Sequence, residues 1–277
     1  MHIWKQGKLS TLPHTEAMQT ATAGNGFTLP DLLRAPHERG RIGLLILLLT
    51  LNAAWIDMLS YLSLGRVFAS FMTGNLLFIG LGVVQGNTGL LIRALVAVLV
   101  FLVGVTFGSF CLERVPQQQT GTAWHNTFVR YLLMEWLLLL VYAIIWQVTS
   151  HLSQQAGVQI LLLCVAALGM GIQGALVWVF KIPGVVADAL TATLITLGQR
   201  LAQGLDHPGP ESQEWRWSGM FLTLLCLIYV ASAVVVALTS AFMLTPVVPV
   251  IVVAIAIFAL LYPAHQAVRS LPGRSTT

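Results

Sequence analysis

The sequence predicts an all-α, polytopic membrane protein, and three observations carry that prediction. Apolar residues make up 57% of the 277 and charged residues 9%, against about a quarter charged in an ordinary soluble domain. Long runs such as 94–112, 131–149 and 219–244 contain no Lys, Arg or Asp, and only Glu135 interrupts them with a charge. At about 1.5 Å per residue each run reaches roughly 30 Å or more, enough to cross a bilayer core. Finally, Lys and Arg lie beside the runs, as expected of residues that set membrane topology.

Eight apolar segments follow in order. The first, 42–64, opens after Arg39 and Arg41 and holds Asp57; the second, 67–84, is short and has Ala69-Ser70-Phe71-Met72-Thr73-Gly74-Asn75 in its first half. The third, 91–112, carries Gly104 and Gly108, a GxxxG spacing that predicts close approach of another helix. The fourth, 131–149, has Glu135 one turn in and five residues from Arg130, where it is expected to anchor at lipid headgroups or on that arginine. In the fifth, 158–180, Gly169, Gly171 and Gly174 match a dinucleotide fingerprint by letter only, since they lie within an apolar helix. The sixth, 184–199, is short like the second and centres on Ala187-Asp188-Ala189-Leu190-Thr191-Ala192-Thr193; 219–242 and 246–262 complete the set.

The positive-inside rule tests whether the short segments cross. Eight crossings with the N-terminus inside leave Arg66, Arg114, Arg130 and Lys181 outside, whereas six leave only Arg66 and Arg93 there. The rule therefore favours six crossing helices plus two short broken or re-entrant elements, with eight crossings as the alternative, and places both termini in the cytoplasm. The two short segments also match each other. Setting 68–80 against 186–198 aligns Ala69 with Ala187, Thr73 with Thr191, Leu76 with Leu194 and Gly80 with Gly198. An internal duplication follows: a flexible cytoplasmic tail (1–41), a first membrane repeat (42–149), a connection (150–157), a second repeat (158–262) and a cytoplasmic tail (263–277). With three crossings per copy the second copy is inverted, a geometry that recurs in secondary transporters.

Several function classes are disfavoured. No basic patch interleaved with aromatics suggests nucleic acid. Cys111, Cys164 and Cys226 are far apart inside apolar segments and read as packing residues, and no two of the seven histidines have the i, i+4 spacing of a helical metal site. No metal, cofactor or enzymatic activity is expected, and no cleavable signal peptide, because no apolar h-region precedes Ile42.

The residues Ile56-Asp57-Met58-Leu59-Ser60-Tyr61-Leu62, then Leu64-Gly65-Arg66-Val67-Phe68-Ala69-Ser70-Phe71-Met72-Thr73-Gly74-Asn75, resemble the signature of the YoaK-like bacterial membrane proteins, a family defined as a domain of unknown function. Gly169-Met170-Gly171-Ile172-Gln173 and Thr191-Ala192-Thr193-Leu194 resemble its second-half pattern. The resemblance spans about 42–262 and implies a multi-pass protein of the bacterial inner membrane, with no established substrate or catalytic residues to carry over. Two positions depart from the pattern: Ala192 stands where a Gly would mirror Gly74, and Asp188 where a small or hydroxyl residue is more usual.

A carboxylate inside an apolar helix costs about 2.5–3.5 kcal/mol near the bilayer centre, so it is kept for a partner or a task. For Asp57 the choice lies between pairing with Arg66 or hydroxyls such as Ser60, and serving as a cation or proton site. Thr73, Gly74 and Asn75 form either a helix break, with Gly supplying the dihedrals and Thr and Asn replacing backbone partners, or a tight helix crossing. The candidate substrate or ion site is Asp57, Thr73, Gly74, Asn75, Gln173, Asp188 and Thr191. Three functions stay in play: a small-solute or ion transporter with inverted halves, a non-catalytic assembly or interaction protein, and an intramembrane enzyme on lipid substrates. The expected partners are the bilayer and a small solute or ion, and a homo-oligomer is compatible with everything above.

Overall fold

A computed structural model describes residues 36–113, 122–149, 155–179, 190–206, 211–239 and 246–269. These residues form eight helices and no strand: α1 Pro36–Ser63, α2 Met72–Val84, α3 Thr88–Glu113, α4 Thr122–Val148, α5 Ala156–Val179, α6 Leu190–Asp206, α7 Glu211–Thr239 and α8 Val247–Arg269. Helices α1, α3, α4, α5 and α7 are long and apolar enough to cross a membrane, and α8 adds an apolar stretch over Val247–Leu261. The chain is a polytopic helical membrane protein. Helix α1 starts at Pro36 and α8 runs to Arg269, so the helices take up the last residues of the first predicted tail and the first residues of the second. Pro fits at Pro36 because the first helical N–H has no intrahelical partner to lose.

Side-chain contacts fix the directions of α1, α3, α4, α5 and α7. At one end of the bundle the Gln159 amide donates to the Ser63 carbonyl at 3.3 Å and accepts from Arg93 Nη2 at 2.9 Å. The end of α1 and the starts of α3 and α5 therefore share one face, and α1 runs antiparallel to both. Helices α3 and α5 are parallel: a Cβ on Gly104 would sit 2.5 Å from the Leu168 carbonyl, and one on Gly108 would sit 2.8 Å from the Ala175 methyl. The predicted close approach is real, and Gly171, which faces the Phe101 carbonyl, is the glycine on the other side of it. The early part of α4 meets the late part of α3, where the Tyr131 hydroxyl donates to the Gly108 carbonyl at 3.2 Å. Helix α4 thus returns antiparallel to α3 and parallel to α1, which it joins through Asn52 and Glu135. Also parallel to α1 is α7, whose Phe221 ring lies beside Gly43 and whose Tyr229 reaches Asp57.

The packing repeats itself. Helix α3 packs on α5 as α7 packs on α1; α2 lies on α3 as α6 lies on α7; and α4 packs on α5 as α8 packs on α1. The α4–α8 and α1–α5 pairs are their own counterparts. Exchanging the halves thus maps the bundle onto itself, and since α1 and α5 run oppositely the halves are inverted. Burial agrees: 67% of each central span, α1 and α5, is buried, against 22% of the outer spans α3 and α7. The outer spans turn Leu99, Phe107, Leu227 and Val234 outward, faces suited to lipid and not to water. Along the short elements, 72–81 and 190–199 have the same burial class at every aligned position except Gly74 and Ala192.

Helix α2 does not cross. Helix α1 ends in a Schellman motif, with the Arg66 N–H bonded to the Tyr61 carbonyl at 3.2 Å and Gly65 at φ 93°. The chain then descends without helical structure through Val67–Phe71 until Ser70 meets Asp57, six residues or about 9 Å back along α1. From there the 13 residues of α2 rise about 20 Å. They reach a turn at Gly86 (φ 63°) and Asn87, whose side chain caps the Leu90 N–H at 3.1 Å. Gly82 lies against the Leu91 backbone across this tight hairpin. Segment 64–87 therefore enters and leaves on one face. The break lies at Gly65–Phe71, upstream of Gly74, which sits within α2, so of the two alternatives for Gly74 the helix break does not occur there.

Candidate functional site

Two buried polar layers lie within α1, Asn52 and Asp57 being five residues apart, about 7.5 Å along the axis. In the first layer the Asp57 carboxylate, 2% exposed, accepts from the Ser70 N–H at 2.7 Å and the Ser70 hydroxyl at 2.6 Å. It also accepts from the Tyr229 hydroxyl at 3.3 Å and, more weakly, from the Phe71 N–H at 3.4 Å. These are the backbone groups just ahead of α2, so the carboxylate sits at the positive end of that short helix. Neither Arg66 nor Ser60, the partners the sequence suggested, is among its contacts; Arg66 is exposed and the Ser60 hydroxyl has no hydrogen-bond partner. The helix terminates before Arg66 can turn inward, and the descending loop brings Ser70 into its place.

Asn75 completes this layer. Its Oδ1 accepts from the Phe68 N–H at 2.9 Å and its Nδ2 donates to the Phe68 carbonyl at 2.7 Å. One side-chain amide thereby replaces both backbone partners that an unwound residue in lipid lacks. Phe68 stacks between Tyr61 (5.3 Å between centroids) and Phe78 (5.8 Å), with Phe71 edge-on at 5.4 Å. Gly74 faces these rings: a Cβ there would lie 2.7 Å from Phe71 and 3.0 Å from Phe68. Gly74 is thus a packing glycine, and not the source of unusual dihedrals.

The second layer joins three helices. Asn52 Nδ2 donates to Glu135 Oε1 at 2.8 Å and to Gln173 Oε1 at 2.9 Å, and Gln173 Nε2 donates to the Leu49 carbonyl at 3.0 Å. All three side chains have 0% exposure. Glu135 is therefore a core residue at the meeting of α1, α4 and α5, and not an anchor at the headgroups; Arg130 points outward. Because α4 is apolar around its whole circumference, its sequence does not say which face turns inward.

Of the predicted site residues, the structure gathers Asp57 and Asn75 around the re-entrant loop, with Gly74 behind them, and places Gln173 in the second layer. Thr73 and Thr191 are exposed on α2 and α6 and join neither layer. Two positions, or about 200° around a helix, put them on the side away from Asn75 and its aligned partner Thr193, which are buried instead. Asp188 lies outside the described residues. The residues that sequence reading missed are Asn52, Ser70 as a ligand of Asp57, and Tyr229. A search of the spans for every uncharged amide would have found Asn52.

The sequence matches the family described as "Protein of unknown function (DUF1275)" over residues 45–261. It is 28% identical over 196 residues to the "UPF0700 transmembrane protein YoaK" of Bacillus subtilis (strain 168), covering 71% of this chain and 83% of that protein. No solved structure matches.

Proposed function

The chain belongs to the YoaK family of transmembrane proteins, and we propose that it carries a small solute or ion across the bacterial inner membrane, with both termini cytoplasmic. The observation that carries this reading is the pairing of two inverted halves, the first of which has a re-entrant element ending at a buried carboxylate. Secondary transporters use that construction, since broken elements place helix ends and freed backbone near the bilayer midplane, where a solute can be held while one half moves against the other. The support is architectural. A scaffold for assembly would have little use for a carboxylate sunk against a helix terminus, a costly placement in lipid.

In this reading Asp57 holds the re-entrant loop, and neutralising it loosens the grip of α1 on Ser70. The test is uptake of labelled amino acids, monocarboxylates and sugars by cells with and without the chain, beside Asp57→Asn. Asn keeps an acceptor for the Ser70 N–H, and the Ser70 hydroxyl can rotate to accept from the new amide. The expected result is chain-dependent uptake that falls to background in Asp57→Asn at unchanged membrane abundance. Equal uptake by an equally abundant variant removes Asp57 from the site. Transport itself is refuted if no class is taken up and Ser70→Cys, in a chain freed of its three cysteines, reacts with an impermeant thiol reagent from one face only.

A further inference from the structure

The second polar layer has an asymmetry that its internal hydrogen bonds do not explain. The Asn52 amide uses one atom twice, since Nδ2 donates to both Glu135 Oε1 and Gln173 Oε1, while its Oδ1, equally buried, accepts from no protein group. Two oxygens from α4 and α5 thus converge within 2.9 Å of a single atom on α1. A carboxamide is nearly symmetric in shape, so a half-turn about its terminal bond exchanges Oδ1 and Nδ2 at little steric cost. After that turn three oxygens surround one point: Asn52 Oδ1, Glu135 Oε1 and Gln173 Oε1. Three converging oxygens repel one another unless a positive charge lies among them.

We infer that Asn52, Glu135 and Gln173 form a site for a dehydrated monovalent cation, in which Glu135 supplies the charge, the two amides supply neutral oxygens, and rotation of Asn52 exchanges the empty and loaded arrangements. One carboxylate matches one positive charge, and a divalent ion would call for more oxygens and more negative charge than three side chains offer. A loaded site is electrically neutral, which lowers the cost of a charge at this depth. Its position fits a coupling role: α1 and α5 are the helices exchanged by the pseudo-symmetry, and Gln173 also holds the Leu49 carbonyl on the other helix of the pair. Loading draws α1, α4 and α5 together at one point. As the driving ion the site rests on the transport reading; as a binding site it does not.

The experiment separates the two. Detergent-purified full-length protein is melted in NaCl, KCl, LiCl and choline chloride at equal ionic strength. Sodium at about ten times its dissociation constant is expected to raise Tm by about 3–6 °C over choline. Glu135→Gln should abolish the rise, and Asn52→Ser should weaken it at least tenfold in apparent affinity while keeping the fold. Should Glu135→Gln not fold, Gln173→Ala and Asn52→Ser carry the test. Identical melting of the wild-type protein in all four salts overturns the site, as does a rise that survives Glu135→Gln. Flux without any cation dependence, together with identical melting in all four salts, sinks this inference and leaves transport standing. A sodium shift lost in Glu135→Gln, without flux of any solute, keeps the site and sinks transport.

Discussion

Replacing Asn75 by Ala tests most sharply how the re-entrant element is held. The side chain is fully buried and serves both the N–H and the carbonyl of Phe68. Truncation strands two backbone groups where water cannot reach them, each worth about 1–3 kcal/mol. Their sum is about 2–6 kcal/mol, with the upper part favoured because lipid offers no substitute partner. The neighbouring Thr73 is exposed on the same helix, and its truncation should stay within about 0.5 kcal/mol. Thermal melting of the detergent-solubilised protein, followed by monodispersity on size exclusion, reads the difference. At about 2–4 °C per kcal/mol for a chain of this size, Asn75→Ala should melt roughly 5–20 °C below Thr73→Ala. Asn75→Asp keeps the acceptor, loses the donor and adds a second carboxylate near Asp57, so it should not rescue. Coincident melting of Asn75→Ala and wild type would refute the idea that this amide substitutes for missing backbone partners.

The remaining predictions concern packing between the halves and the polar centre. Gly171→Val drives a side chain into the Phe101 carbonyl and must spread α3 from α5, so it should lower Tm by more than 5 °C or abolish accumulation; Gly80→Ala meets nothing within 4 Å and should behave as wild type in the same assay. Asp57→Asn should leave abundance intact and remove uptake, as set out above, and Glu135→Gln should erase the sodium-dependent shift.

The membrane class, the order of eight segments and the oddity of the second and sixth were legible because hydropathy and length report directly on lipid. The alignment register was legible too: four identities placed 68–80 on 186–198, and the burial of 72–81 against 190–199 repeats at that spacing. Gly104 and Gly108 announced their contact, because small residues four apart serve close helix approach. Other features were hidden for physical reasons. Gly74 was open to two readings, a break or a tight packing position, because glycine marks both freedom and crowding; the rings of Phe68 and Phe71 claim that space, so packing holds. Asp57 finds Ser70 thirteen residues on, and Tyr229 at a separation of 172, neither of which local spacing encodes. Glu135 looked peripheral by its nearness to Arg130, but its depth is set by the helix's rotation, which an all-apolar helix does not reveal.

Inversion of the two halves is the central claim, and it follows from a first short element that returns to the face it entered. Single cysteines at Gln85→Cys and Gly209→Cys, in a chain with Cys111, Cys164 and Cys226 replaced by Ala, test it through labelling by a membrane-impermeant thiol reagent in intact cells and in inverted vesicles. Six crossings predict that Gln85→Cys labels in intact cells and Gly209→Cys labels only in inverted vesicles. Labelling of both positions from the same side would mean eight crossings and parallel halves, and would contradict the account.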